Sequence, residues 1–265
     1  MALLDIRFKS LELGRNVSIT AILPVDHIDY VNKVNTSSNP PYKTLYLLNG
    51  LYGDSSEWIT HTNIKVLAEV NNLCVIMPSG ENSFYRNQGE GRNYSNFIGQ
   101  ELLTITRNMF NLSRKREDTF IGGYSMGAYG ALYNGLKYHH NFSKIVGLSP
   151  VLKLDYSVNK STKPSSHYSL SFLENCFGSL ENMDINEINP EYLLKNLIAN
   201  DKRVPDIYLS CAEDDEILIN PTRKFKEVLN KYKDNVNYTY SEGRGGHNWQ
   251  YWDRQLESII NWIVK

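Results

Sequence analysis

From residue 44 onward, short apolar runs alternate with longer stretches in which apolar residues recur every three or four positions. The short runs are Thr44–Leu48 (TLYLL), Leu73–Met77 (LCVIM), Thr119–Ile121, Lys144–Leu148 (KIVGL), Ile207–Cys211 (IYLSC) and Val236–Tyr240 (VNYTY). Several are β-branched and lack a polar/apolar alternation, the pattern of strands covered on both faces. Between them the spacing predicts helices over about 56–71, 96–111, 127–139 and 220–232, and a last one over about 248–264. In that last segment Trp249, Trp252, Leu256, Ile259, Ile260 and Ile263 share one helical face. Such alternation builds right-handed strand–helix–strand units, so a mostly parallel α/β sheet with helices on both faces is expected.

The N-terminus follows a different rule. Leu3, Leu4, Ile6 and Phe8 fill one strand, and Val17, Ile19, Ala21 and Leu23 alternate along a second. A tight turn at Gly14-Arg15-Asn16 would join them as an antiparallel pair. Two strands plus six give eight in one sheet. A polar loop, 32–42, separates the two parts. Residues 151–205 break the rhythm: they are rich in Ser, Asn and Lys, with helical hints only at 169–177 and 190–198. About 55 residues make a poor independent core, so this stretch is expected to be an insertion in a single domain spanning 1–265.

Composition narrows the class. Of the 265 residues 22% are charged and the formal net charge is −1, which speaks against nucleic acid or an anionic membrane as partner. No apolar run approaches the roughly 20 residues that span a bilayer, and the N-terminus lacks the apolar core of a signal peptide. Cys74, Cys176 and Cys211 are odd in number and far apart, which suits buried free thiols in a reducing compartment. A cytoplasmic protein is the expectation.

One cluster stands out against this ordinary background. Residues 122–131 read GGYSMGAYGA, with four glycines and two alanines around one serine. Gly123-Tyr124-Ser125-Met126-Gly127 matches G-x-S-x-G, the elbow that turns a strand sharply into a helix with the serine at its tip. Glycine is needed where side chains on either side of the tip would collide. Gly130 and Ala131 would let the helix lie close to a neighbouring strand.

A serine hydroxyl needs a base to become a nucleophile, and in this arrangement acid and base follow the serine in the chain. His27 and His61 precede it. His139 and His140 lie at the far end of the next helix. His247, in the loop Glu242-Gly243-Arg244-Gly245-Gly246-His247, follows the last strand and can reach the elbow; His167 is the reserve. The third member should follow the strand Ile207–Cys211, where the chain reads Glu213-Asp214-Asp215-Glu216. Stabilising the oxyanion requires N–H donors. One is that of Met126, after the nucleophile. The other is expected from the loop Asn49-Gly50-Leu51-Tyr52-Gly53-Asp54, at Leu51.

With these residues assembled, the chain resembles the esterase family that includes bacterial tributyrin esterases, esterase D (S-formylglutathione hydrolase) and feruloyl or acetyl-xylan esterases; it is most like the tributyrin esterase branch. The resemblance rests on Leu47–Asp54 with Trp58, Val75–Gly80, Asn82–Tyr85, Lys115–Ile121, Gly123–Gly130, and His247 with Trp249 and Trp252. It implies an α/β-hydrolase fold and hydrolysis of short-chain acyl esters, acetyl to butyryl, without a cofactor; no partner histidine or second acid cluster accompanies the acids at 213–216, so no metal site is expected there. It assigns the nucleophile to Ser125, the base to His247, the acid to Asp215, and the oxyanion amides to Leu51 and Met126. Three departures are Asn49-Gly50 where the family has His-Gly, Ala128 where a second glycine is common, and an acid loop one residue longer before Phe225.

The expected partner is a small-molecule ester, with neither nucleic acid nor membrane. The same machinery would serve an S-formylglutathione thioesterase, a sugar or feruloyl ester deacylase, or an acyltransferase. A catalytically silent binding protein is the alternative of another class. Tyr156, Tyr168, Phe172 and Phe177 of the insertion are candidates for a pocket roof, and Tyr85–Arg92 for its rim. The sequence leaves the oligomeric state open.

Overall fold

A computed structural model describes residues 1–26, 28–29, 32, 34–35, 40–152, 169–177 and 188–265. Eight strands form one sheet: β1 (Ala2–Ser10), β2 (Arg15–Leu23), β3 (Lys43–Leu48), β4 (Leu73–Pro78), β5 (Thr119–Tyr124), β6 (Lys144–Leu148), β7 (Asp206–Ala212) and β8 (Tyr238–Gly243). Their spatial order is β1-β2-β4-β3-β5-β6-β7-β8. β1 pairs antiparallel with β2, and β2 antiparallel with β4; every other pair is parallel. A separate two-stranded ribbon pairs Ile28–Asp29 with Val34–Asn35.

Period-2 side-chain alternation splits the buried residues between two faces. Leu45, Leu47, Val75, Phe120, Val146 and Tyr208 point to one side, where they meet α1 (Glu57–His61), α2 (Ile64–Val70) and α8 (Trp249–Val264). Tyr46, Leu48, Ile76, Ile121, Ile145 and Leu209 point to the other. There they pack with α3 (Leu102–Met109), α4 (Met126–Lys137), α6 (Pro190–Ala199) and α7 (Ile219–Lys231). Each fully buried large apolar side chain contributes about 1.5–3 kcal/mol. The edge strand β1 has only one covered face: Leu4, Ile6 and Phe8 are half-buried, while Leu3 is exposed.

Local chemistry moved several expected boundaries. The first turn is Leu11–Gly14, with Gly14 at φ +58, and Arg15 and Asn16 already belong to β2, paired with Ser10 and Lys9. The helix expected over 56–71 breaks in two because Thr62 is extended (φ −142, ψ 168). The last strand starts at Tyr238, not Val236, because Val236 still donates to Tyr232 O at the end of the preceding turn. β5 runs through Gly122 and Gly123 to Tyr124. The helix before it contains a wide π turn, Phe97–Glu101, that leads into α3. Gly130 faces the Tyr85 ring rather than a strand. The glycine that meets the sheet is Gly135, where a Cβ would lie 2.5 Å from Ile145 Cγ1 and 3.1 Å from Ile121 Cγ2.

Much of the 151–205 stretch, including Tyr156, His167 and Tyr168, lies outside the described residues. Its described parts include α5 (Leu170–Phe177) and α6, the latter capped by Asn189, whose side chain accepts from Glu191 N–H, with Pro190 in the first position. Phe177 is buried, with its ring 4.9 Å from that of Phe84, so it packs the interior. Of the expected rim loop, Tyr85 is fully buried and Arg86 nearly so, its guanidinium over the Phe177 ring.

Candidate active site

The C-terminal ends of β3, β5, β6 and β7 converge, and the elbow rises between them. Ser125 has φ +53 and ψ −118, a left-handed region that L-residues occupy only under constraint. Three constraints are visible. Its N–H donates to Leu148 O at 2.8 Å. A Cβ on Gly123 would lie 2.5 Å from the backbone of Gly127, and a Cβ on Gly127 would lie 2.5 Å from Leu48 O. The elbow is therefore clamped from both sides, and α4, buried from Met126 to Leu136, anchors it behind.

Ser125 Oγ lies 2.9 Å from His247 Nε2, and His247 Nδ1 lies 2.7 Å from Asp215 Oδ2. Of the other described histidines, His139 bonds to Arg203 O at the opposite end of the sheet, and His61 stacks on Trp249. His247 stands one residue before the cap of α8, where the Asn248 side chain accepts from Tyr251 N–H at 3.1 Å. Its ring meets Trp252 edge to face, 5.0 Å between centroids at 89°. The Trp252 indole N–H in turn reaches Ser149 Oγ.

Asp215 is 2% exposed. Its Oδ1 accepts from Leu218 N–H at 3.1 Å, and its carbonyl accepts from Ile219 N–H, the first residue of α7. The helix expected from about residue 220 starts at Ile219, so Asn220 lies inside it, and Asp215 closes the turn before it. The Cys211 thiol, its pKa pushed up to about 12 chiefly by burial, lies 3.9 Å from Asp215 Oδ2. Asp214 turns the other way: its Oδ2 accepts from Gly245 N–H and its N–H donates to Gly245 O, tying the acid loop to the histidine loop. Among the described residues no group of three or more His, Cys, Asp or Glu could hold a metal ion. A groove of about 400 Å³ opens beside the acid loop, lined in part by Leu152, Glu216, Ile217 and Phe225, but neither Ser125 nor His247 lines it.

Met126 is the first residue of α4, so its N–H has no acceptor within the helix. Leu51 lies on the loop after β3, half-buried against the core. That loop is braced by side-chain contacts that the sequence did not show. Tyr124 OH donates to Glu57 Oε2, and burial pushes the Glu57 carboxyl above its ordinary range. Trp58 Nε1–H caps Leu48 O at 3.1 Å. Asn49 and Tyr85 bond to each other inside the molecule. A glycine beside each ring was the available signal: a Cβ on Gly50 would overlap Tyr124, and one on Gly80 would overlap Tyr85.

Comparison with known proteins gives the family. The Putative esterase family profile matches residues 10–263. An acetyl esterase of Caldicellulosiruptor saccharolyticus is 36% identical over 268 aligned residues, covering 100% of this chain and 99% of its own. The fluorophosphonate-binding serine hydrolase F of Staphylococcus aureus superposes with a TM-score of 0.84 at 31% identity, covering 100% of this chain and 98% of its own. An S-formylglutathione hydrolase of the same organism gives 0.82 at 30% identity, covering 100% and 99%. Sheet order, elbow and full-length similarity lead to one conclusion: the chain belongs to the Putative esterase family, has the α/β-hydrolase fold, and is a carboxylic ester hydrolase of the serine type.

Proposed function

We propose that this esterase cleaves short-chain acyl esters through a covalent acyl-enzyme on Ser125. The observation that carries the reading is the continuous hydrogen-bonded line Ser125–His247–Asp215, with the serine at a strained strand–helix turn. His247 Nε2 takes the Ser125 proton as Oγ attacks the ester carbonyl carbon. Asp215 holds the ring in the tautomer with the proton on Nδ1 and stabilises the imidazolium that forms. The negative oxygen of the tetrahedral intermediate accepts from the Leu51 and Met126 N–H groups, worth about 10²–10³ in rate for each donor of this kind. Collapse of the intermediate breaks the bond to the alkoxy oxygen, which leaves with the His247 proton. Water then repeats the sequence on the acyl-serine, releasing the carboxylic acid and restoring Ser125.

An acetyl esterase among the relatives supports a small acyl group. The S-formylglutathione hydrolase similarity supports a second reading, a thioester substrate, because thiolate departure asks less of the histidine proton. The test is a panel of p-nitrophenyl esters from acetate to octanoate, with S-formylglutathione in parallel and fluorophosphonate labelling of wild type and Ser125→Ala. Acetate or butyrate should exceed octanoate, and only the wild type should label. Faster octanoate turnover would overturn the chain-length assignment. Faster S-formylglutathione turnover would favour the thioesterase, and no turnover of any substrate would favour a binding protein.

A further inference from the structure

An amide donor is only as well aimed as the peptide plane that carries it. The Leu51 N–H shares a plane with the Gly50 carbonyl, and in a trans peptide the two point in opposite directions. Whatever holds the Gly50 oxygen therefore aims the Leu51 hydrogen. Gly50 O accepts from Asn49 Nδ2 at 2.7 Å, the shorter of its contacts; the other is Gly53 N–H at 3.4 Å.

The direction of the Asn49 amide is itself fixed. Asn49 is 1% exposed, and its Oδ1 receives two donors at 2.9 Å each, Gly80 N–H and Tyr85 OH. A reversed amide would set its NH₂ against the Gly80 N–H, donor against donor. The same hydroxyl also lies 2.9 Å from Asn49 O. Tyr85 has no freedom to leave. It is fully buried, its ring fills the space beside Gly80 and Gly130, and its carbonyl accepts from Asn134 Nδ2 at 3.0 Å. Its φ is +54 and that of Phe84 is +50, two successive left-handed residues that turn the phenol under the loop.

We propose that Asn49 and Tyr85 are positioning residues for the Leu51 amide: Tyr85 orients the Asn49 carboxamide, and the carboxamide sets the Gly50–Leu51 peptide plane. The inference rests on the reading of Leu51 as an oxyanion donor. Asn49→Asp is the isosteric test. It keeps an acceptor for Gly80 and Tyr85 but replaces the donor to Gly50 O with a second oxygen, whose repulsion turns the plane away. Tyr85→Phe keeps the buried ring and removes only the hydroxyl, so it decides the matter if Asn49→Asp fails to fold.

Steady-state kinetics on p-nitrophenyl acetate, affinity for an alkyl boronic acid that forms a tetrahedral adduct, and thermal melting should be measured on both variants. The expected result for Asn49→Asp is a kcat lower by about 10²–10³-fold with KM within about threefold, and a boronate affinity reduced in parallel. For Tyr85→Phe the same pattern is expected at about tenfold. A kcat within about twofold of wild type in the folded variants, or a kcat loss without weaker boronate binding, would overturn the proposal. Ser125→Ala separates the two readings. If it stays active, the nucleophile assignment fails and this inference with it. If it is dead while Asn49→Asp is normal, only the positioning role falls.

Discussion

Ser125 and His247 approach within hydrogen-bond distance, yet they are held by opposite means. The serine is 7% exposed, sits between a fully buried strand and a buried helix, and is confined by two glycines with no room for a Cβ. The histidine side chain is 36% exposed on a loop between β8 and α8, and its orientation comes from Asp215, the edge of Trp252 and the helix cap next to it. Volume fixes one partner and polar contacts fix the other. The serine side should then be intolerant of added atoms, and the histidine side intolerant of lost hydrogen bonds.

The largest effect separates chemistry from packing on the serine side itself. Ser125→Ala should lower kcat by about 10⁶-fold, the scale seen for serine removal in a protease. Its melting temperature should stay near wild type, because alanine meets the same backbone constraint as serine. Residual activity above a few per cent in a pure preparation would contradict the assignment.

On the histidine side the informative pair is Asp215→Asn and Asp214→Asn, compared by kcat/KM. On the proposed mechanism the first loses about 10⁴-fold, since an asparagine stabilises the wrong imidazole tautomer. The Asp214 carboxylate accepts from the Gly245 N–H and does not touch His247, so its variant should stay within about tenfold. The reverse ranking would move the acid by one residue.

Glycine substitution breaks the comparison most directly. Gly127→Ala puts a methyl 2.5 Å from Leu48 O, and overpacking of this kind costs about 3 kcal/mol or more. Gly246→Ala, beside His247, meets nothing nearer than Asn248 Nδ2 at 3.6 Å and should change stability by less than about 0.5 kcal/mol. Chemical denaturation of the two variants reads the contrast, and equal losses would show that volume controls both sides.

The smallest effect lies at the foot of the histidine loop. Glu242 receives both a 2.9 Å and a 2.6 Å bond from Arg223, which holds its carboxyl down at about 2. A depressed acid contributes stability above its unfolded range, near about 4.3, and loses it as pH falls toward the folded value. The pair lies at the surface, so Glu242→Gln should lower Tm by no more than about 3 °C at pH 7, with the difference vanishing near pH 2. A pH-independent gap would assign the effect to packing.

Legibility in the sequence followed the range of the interactions. Strand and helix positions were readable because their periods repeat within a few residues: Lys144–Leu148 was placed to the residue, and the long buried face of α8 is written in Trp252, Leu256, Ile259, Ile260 and Ile263. Boundaries at Gly14, Thr62 and Val236 were not, because one backbone angle or one hydrogen bond decides each of them. Gly130 and Gly135 are alike in the sequence. Only the fold makes one a seat for Tyr85 and the other a contact with the sheet.

By itself the sequence determined that a mostly parallel sheet would form, that a serine would sit at the turn after one of its strands, and that a histidine and an acid would follow on later loops. The tertiary structure alone decided which atoms meet. Ser125 and His247 are 122 positions apart, Asp215 and His247 are 32, and Asn49 and Tyr85 are 36. No periodicity reaches across such separations. Those meetings depend on the parallel strand order, which sets the C-terminal ends of β3, β5, β7 and β8 at one end of the sheet, and on buried polar groups that must find partners once water is excluded.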